Sequence, residues 1–100
     1  MYTRQGDDIH HMVQITLKEA LCGWKRVVQT IDGKQISVGA SGPTRTTWDD
    51  RFPSLGMPRS KKPQERGDFV ISVRIRQPKF LSYEQKGAIA SALTDIEYED

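Results

Sequence analysis

The two histidines of the chain are the first candidates for chemistry, because imidazole binds metals and transfers protons near neutral pH. His10 and His11 are adjacent, inside a segment whose apolar and polar residues alternate as in a β-strand. Neighbouring side chains of a strand point to opposite faces, so the two imidazoles cannot readily share one metal ion. A zinc site needs further cysteine or histidine ligands, and Cys22 is the only cysteine. We therefore expect no metal site.

The thiol and the paired carboxylates are explained by local structure. Cys22 ends a short apolar segment, where a thiol usually packs as a small buried hydrophobe, and no histidine is placed to activate it. The acid pairs 7–8 and 49–50 lie beside turns, which favour aspartate. The sequence also has no glycine-rich phosphate-binding loop. We expect no enzyme, no catalytic residue and no cofactor.

Composition bounds the class of protein. One hundred residues, 36% of them apolar, are typical of one domain with a modest core. A single cysteine excludes an internal disulfide and fits a reducing compartment. No apolar run approaches the roughly 20 residues that span a bilayer, and no signal peptide is recognisable. We expect no membrane partner and a cytoplasmic location, with the nucleus left open as a second compartment.

Charge is unevenly distributed. The net charge of +2 includes four acids and no base within residues 95–100, which leaves the rest of the chain at +6. The most basic run, 59–62, has no aromatic residues interleaved, unlike typical nucleic-acid surfaces. We therefore do not expect nucleic acid as a partner, although a basic module that binds nucleic acid or an acidic protein stays open as the second functional hypothesis.

Alternation predicts the strands. It is clearest over 68–77, where Phe69, Ile71, Val73 and Ile75 share one face, and it recurs over 9–15, 24–31 and 35–38. Asp32-Gly33 predicts a two-residue type I′ hairpin turn. Turn-forming residues predict a loop over 39–48 and a mobile connection over 59–67. Between them, residues 50–55 could form a short strand.

Two capping boxes predict two short helices. Thr16 and Glu19 bracket the start of a helix over 17–22, which Gly23 ends. Ser82 and Gln85 open a second helix of about three turns, with a stripe of Ile89, Leu93 and Ile96. A helix this short does not hold alone in water, so it must pack on its own sheet or on another chain.

Five motifs, taken in order, resemble the C-terminal region of DnaJ-type J-domain co-chaperones, the heat-shock protein 40 family. They span nearly the whole chain and comprise the segments 2–9, 15–23, 30–34, 56–58 and 66–69. The proline-ended strand and the helix after it are similar to the second C-terminal domain, next to the dimerisation segment. The chain resembles the class that has no zinc module.

The resemblance implies a fold and a division of the chain. The fold is mainly β, a two-layer packing of small antiparallel sheets with one short helix and a C-terminal dimerisation helix. Residues 1–80 would form the client-binding-type β domain, 81–94 the dimerisation helix and 95–100 an acidic tail.

The implied function is the dimerisation and client-supporting module of a co-chaperone that delivers unfolded polypeptides to the heat-shock 70 chaperone. The His-Pro-Asp signature of the J-domain does not occur in this sequence. Contact with that chaperone would therefore be made through parts absent from this chain.

The resemblance also implies two sets of site residues. The homodimer contact would come from one face of the C-terminal helix, formed by Tyr83, Lys86, Ile89, Ala90 and Leu93. Client peptide would lie along two neighbouring strands, at His11, Val13, Val28 and Thr30. Packing of the helix on its own sheet and an ordinary sheet surface at the second set stay open as alternatives.

Overall fold

The computed structural model describes residues 2–53, 55–57 and 66–99. Six strands and two helices follow one another in these residues: β1 Tyr2–Gln5, β2 Asp8–Thr16, α1 Leu17–Cys22, β3 Trp24–Gln29, β4 Gln35–Ala40, β5 Asp49–Phe52, β6 Phe69–Arg76 and α2 Tyr83–Ala92. The predicted mobile connection falls outside the described residues except for Arg66 and Gly67, and the basic run 59–62 lies entirely outside them.

The larger sheet has the order β1-β2-β6-β5. Its centre is the pairing of β2 with β6, which runs in register from Ile9 opposite Phe69 to Thr16 opposite Arg76. The alternation predicted for β6 is observed over residues 71–74, because Ile71 has 0% exposure, Val73 6% and Arg74 is exposed. At the start of the strand both faces are buried, since Val70 on the face opposite Phe69 has 3% exposure. The buried side chains of β2 and β6 therefore form one side of the hydrophobic core.

The second sheet is the hairpin of β3 and β4, and both sheets contribute to one hydrophobic core. Trp24 of β3 lies in that core, with its ring edge-on to Trp48 at a centroid distance of 5.2 Å. Its indole N–H donates to the hydroxyl of the buried Thr44 at 3.0 Å. The two-layer packing predicted from the sequence is thus a small hairpin and α1 against a four-stranded sheet.

Three of the recognised motifs meet at one end of the larger sheet. The amide of Met57 donates to the carbonyl of Asp7 at 2.8 Å. The amide of Gly56 donates to the carbonyl of Gly67, and the amide of Gly67 donates to the carbonyl of Met57, both at 2.9 Å. The backbones approach so closely that a Cβ on Gly67 would lie 2.1 Å from the Asp7 carbonyl oxygen. Glycine is therefore required at residue 67 by contact with backbone.

Carboxylates hold the same junction. The Asp68 amide donates to Asp8 Oδ1 at 2.8 Å, and Arg51 lies 2.9 Å from Asp68 and 3.5 Å from Asp8. The Asp68 amide, with a smaller effect of Arg51, holds the pKa of Asp8 below its ordinary value. Arg66 reaches from this junction to Asp32 at the tip of the β3–β4 hairpin, and its guanidinium lowers the pKa of Asp32.

The hairpin turn differs from the predicted type I′ turn. Thr30 and Lys34 still pair, at 2.7 Å from amide to carbonyl, so the loop has three residues. Gly33 alone has a positive φ, 83°, in this loop, and its amide donates to Thr30 at 3.0 Å. This is the pattern of a type I turn followed by a left-handed residue, in which Asp32 keeps a negative φ.

Three further predictions are corrected. The strand β4 continues to Ala40, so the loop predicted from residue 39 begins at residue 41. The pairing of β2 with β6 is parallel, because the chain crosses back before β6, so the larger sheet is mixed rather than wholly antiparallel. Cys22 is exposed rather than buried, because α1 turns Ala20 and not its last residue into the core.

The mainly β class, with small sheets, one short helix and a C-terminal helix, is confirmed. No helix among residues 2–53, 55–57 and 66–99 is long and apolar enough to cross a bilayer.

Candidate functional sites: the C-terminal helix and the β2–β3 groove

The helix α2 begins where its capping box predicts. The Gln85 amide donates to the Ser82 hydroxyl at 3.1 Å, and the Ser82 amide donates to Gln85 Oε1 at 2.9 Å. Glu84 in the first turn also complements the helix dipole. These interactions start the helix locally, but none of them attaches it to the sheets.

The helix buries none of its residues. All extensive contacts between elements are made by the strands and α1, and α2 takes part in none of them. The sequence left two partners open for α2, its own sheet or another chain. Within the described residues, its own sheet does not cover it.

The five residues predicted for the dimer contact share one face of α2. At about 100° per residue they fall within a sector of roughly 120°. Tyr83 is 89% exposed, Ile89 41% and Leu93 36%. Lys86 and Ala90 are exposed between them. We call this surface the α2 face. It consists of one aromatic ring, three aliphatic side chains and the aliphatic stem of Lys86.

The predicted stripe does not extend to Ile96. The helix ends at Ala92 with Leu93 as its cap, and Asp95 then takes a left-handed φ of 64°. Ile96 therefore lies beyond the turn and not one helical turn above Leu93.

A groove of about 300 Å³ separates β2 from β3. On the β2 side, β1 pairs only with residues 8–11, so residues 12–16 have no strand beside them there among the described residues. On the other side β3 pairs with β4 alone. Two strand edges that have no described strand beside them thus face each other, an arrangement to which an extended peptide can add by backbone hydrogen bonds. Side chains already contact part of these edges, because Arg26 donates to the Gln14 carbonyl and the Tyr2 hydroxyl donates to the Gln29 carbonyl.

Three of the four predicted client residues line this groove, namely His11, Val13 and Val28. Val13 and Val28 are nevertheless buried, and they belong to the hydrophobic core. Thr30 lies outside the groove, and its buried hydroxyl accepts from the Lys34 amide at 3.2 Å. His11 is half-buried, with its ring 4.9 Å from that of Tyr2.

Sequence reasoning missed the exposed apolar residues of the groove, which are Tyr2, Met12 and Val27. Val27 is 66% exposed, and the Tyr2 hydroxyl spans the groove to the Gln29 carbonyl. The signal was available in part. In an alternating strand the residues beside the core positions are the ones that face outward, and Met12 and Val27 each precede a core valine.

An ion pair joins α1 to the groove. Arg26, which lines it, binds both carboxylate oxygens of Glu19, at 2.8 and 3.0 Å, and reaches the Gln14 carbonyl at 3.3 Å. The guanidinium, followed by the Thr16 amide, lowers the pKa of Glu19 to about 2. The pair thus connects α1, β3 and β2 at this end of the groove.

Among the described residues, no group of three or more metal-ligating side chains lies together. His10 is on the opposite face of β2 from His11, as predicted, because consecutive residues of the strand alternate.

Comparison with known proteins identifies the family. Residues 1–78 match the DnaJ C terminal domain family. The protein psi1 of Schizosaccharomyces pombe is 40% identical over 88 residues, which are 88% of this chain and 23% of that protein. SIS1 of Saccharomyces cerevisiae is 32% identical over 88 residues, covering 88% of this chain and 25% of SIS1. DnaJ protein homolog 1 of Drosophila melanogaster is 36% identical over 83 residues, 82% of this chain and 25% of its own length.

The chain thus spans about a quarter of the length of these relatives. The family match ends before α2, which begins at Tyr83. The match does include the junction around Gly67 and the β2–β3 groove. With the match covering more than three quarters of the sequence, the chain belongs to the DnaJ C terminal domain family.

Proposed function

We propose that this chain is the dimerising and client-supporting module of a DnaJ co-chaperone, which passes unfolded polypeptides to a heat-shock 70 chaperone. Membership of the DnaJ C terminal domain family supports this role. Contact with the heat-shock 70 chaperone would depend on other parts of such a protein. The function is binding rather than catalysis.

The observation that carries the proposal is the α2 face. A ten-residue helix is too short to be stable alone in water, and this one buries no residue within its own chain. Its large apolar side chains, Tyr83, Ile89 and Leu93, lie on one side, where a second copy related by a two-fold axis would cover them with its own matching face. We therefore assign the dimer contact to Tyr83, Lys86, Ile89, Ala90 and Leu93.

The β2–β3 groove supports the client-binding part. An unfolded polypeptide is extended and offers free backbone groups, which could pair with residues 12–16 and β3 at the edges that have no described strand beside them. Met12, Val27 and Tyr2 add exposed apolar contacts beside these edges. The groove is small and open, so it would hold a few residues of a client weakly and without sequence preference.

Binding of a permanently unfolded, fluorescently labelled polypeptide, followed by anisotropy, tests this role. Val27→Asp places a charge in the groove at an exposed position, where the fold tolerates it. Ile31→Asp is the matched control, because Ile31 is also exposed but lies at the hairpin tip outside the groove. Removing the contact of one apolar side chain should weaken binding about tenfold.

The expected result is weaker binding by Val27→Asp and unchanged binding by Ile31→Asp. Equal affinities of wild type and Val27→Asp would exclude the groove as the client site. An affinity that falls steeply as the salt concentration rises would instead favour the second hypothesis, a basic module for nucleic acid or an acidic protein.

A further inference from the structure

The segment after α2 turns back toward the body of the molecule. Asp95 adopts φ 64°, a left-handed conformation that aspartate tolerates better than most residues. The Thr94 hydroxyl donates to the Ala90 carbonyl at 2.6 Å, and the Tyr98 hydroxyl donates to the Leu93 carbonyl at 3.4 Å. The acidic tail therefore runs back beside the end of its helix.

The tail ends over a hollow of about 530 Å³ beside the loop 41–48. The hollow is lined by Pro43, Arg45, Thr47, Trp48, Asp49 and Glu99. This loop is fixed to the core, because the Thr44 amide donates to the Ala20 carbonyl at 2.6 Å and Trp48 stacks edge-on against the buried Trp24. The hollow therefore lies on a loop that is attached to the core at two points.

One ion pair connects the tail to this loop. Glu99 Oε1 lies 2.9 Å from Arg45 Nε, across 54 residues of sequence. Asp49 also lines the hollow and repels a carboxylate, so the attraction depends on Arg45. Both partners of the pair are largely exposed, so its contribution should be small and should decrease with added salt.

We propose that residues 95–99 act as an intramolecular strap, which docks at the Arg45–Trp48 hollow and favours one orientation of α2 relative to the sheets. The helix has no other extensive contact with the body, so this tie limits how far α2 can swing. The inference goes beyond the proposed function, because it concerns one chain and holds whether or not α2 dimerises. Acidic peptides carried by other proteins would compete with the strap for the same hollow.

Backbone order in the tail, measured by ¹⁵N relaxation, tests the strap. In the wild type, Tyr98 and Glu99 should have order parameters above about 0.6, the value below which backbone is flexible. Glu99→Arg reverses one partner of the pair. It should lower both order parameters below that value and shift the Trp48 indole resonance.

Two variants separate the ion pair from the general charge of the tail. Glu97→Arg makes the same charge change two residues away, outside the hollow, and should leave Tyr98, Glu99 and Trp48 unchanged. The double variant Arg45→Glu with Glu99→Arg restores opposite charges and should restore the wild-type order. Equal effects of Glu97→Arg and Glu99→Arg, a disordered wild-type tail, or no recovery in the double variant would each overturn the strap.

Discussion

At the scale of single residues, the fold depends on a few polar contacts that start and join its elements. Thr16 is the clearest, because its hydroxyl accepts from the Glu19 amide at 3.2 Å while its own amide donates to Glu19 at 3.0 Å. Replacing a helix cap of this kind by alanine should lower the free energy of unfolding by about 1 kcal/mol. Thr16→Ala, measured by urea denaturation, should show this loss with an unchanged slope. The exposed Thr3→Ala is the control and should stay within about 0.5 kcal/mol of wild type.

Glu19 should also give the chain an acid-sensitive step. Its folded pKa, about 2, lies below the ordinary 4.5 because Arg26 and the Thr16 amide favour the charged form. A depressed carboxyl pKa contributes stability that is complete above the unfolded value and is lost as pH falls toward the folded one. Wild-type stability should therefore fall between about pH 4.5 and pH 2. Glu19→Gln should be less stable at pH 7 and show a flatter decline over this interval, and parallel curves for the two proteins would contradict the assignment.

Gly67 tests the junction of the motifs. A Cβ at residue 67 would meet the Asp7 carbonyl oxygen at 2.1 Å, and that atom belongs to backbone that cannot rotate away. Gly67→Ala should destabilise the fold by about 2 to 4 kcal/mol. Gly42→Ala is the matched control, because nothing lies within 4 Å of its added Cβ. Thermal unfolding of both variants should show a large decrease for the first and almost none for the second.

At the scale of elements, local sequence signals predicted the structure well wherever the cause was local. Both capping boxes begin their helices at the predicted residue. Core positions that alternation predicts in β2 and β6 are buried, namely Ile9, Val13, Ile15, Phe69, Ile71 and Val73. Val70, on the other face of β6, is buried as well, which alternation alone does not predict. The hairpin was located correctly, but its turn type depends on where Thr30 and Lys34 pair, which Asp32-Gly33 alone does not determine. The parallel pairing of β2 with β6 depends on a long crossover, which no local pattern records.

The sites were predictable to different degrees for the same reason. The α2 face follows from helical spacing, and the structure places its five predicted residues on one side of the helix. The groove depends on how two sheets pack, so sequence alone identified the strands but favoured inward-facing residues such as Val13 over exposed ones such as Val27. Whether these residues bind a partner stays a prediction.

Gly87 offers a test of α2 as an element. It lies inside the helix, and nothing lies within 4 Å of a Cβ added there. Gly87→Ala should stabilise the helix by about 1 kcal/mol through its higher helix propensity. Amide hydrogen exchange in α2 should slow about fivefold, while exchange in β6 should stay the same. Faster exchange in α2 would mean that residue 87 is covered by a surface with no room for a methyl group.

At the scale of the whole molecule, the chain is elongated, with extents of 58 × 27 × 20 Å and a radius of gyration of 17.5 Å. A globular chain of this length would have a radius of gyration of about 13 Å. The difference fits a compact β body from which α2 projects. A projecting helix with an apolar face is well placed to join two bodies side by side, which would let two client grooves act on one polypeptide.

The central claim is that the α2 face joins two copies of the chain, and sedimentation equilibrium tests it most directly. Each large aliphatic side chain buried is worth roughly 1.5 to 3 kcal/mol, and Ile89 and Leu93 count twice in a two-fold contact. For so small an interface we expect a dissociation constant of micromolar order, near −8 kcal/mol.

At tens of micromolar the wild type should approach twice the monomer mass of 11.4 kDa. Leu93→Asp should sediment as a monomer with an unchanged β-rich circular dichroism spectrum. Ser91→Asp, which places the same charge at an exposed position on another side of α2, should still dimerise. A wild type that stays monomeric at these concentrations, or a Leu93→Asp variant that unfolds without any change in association, would contradict the account.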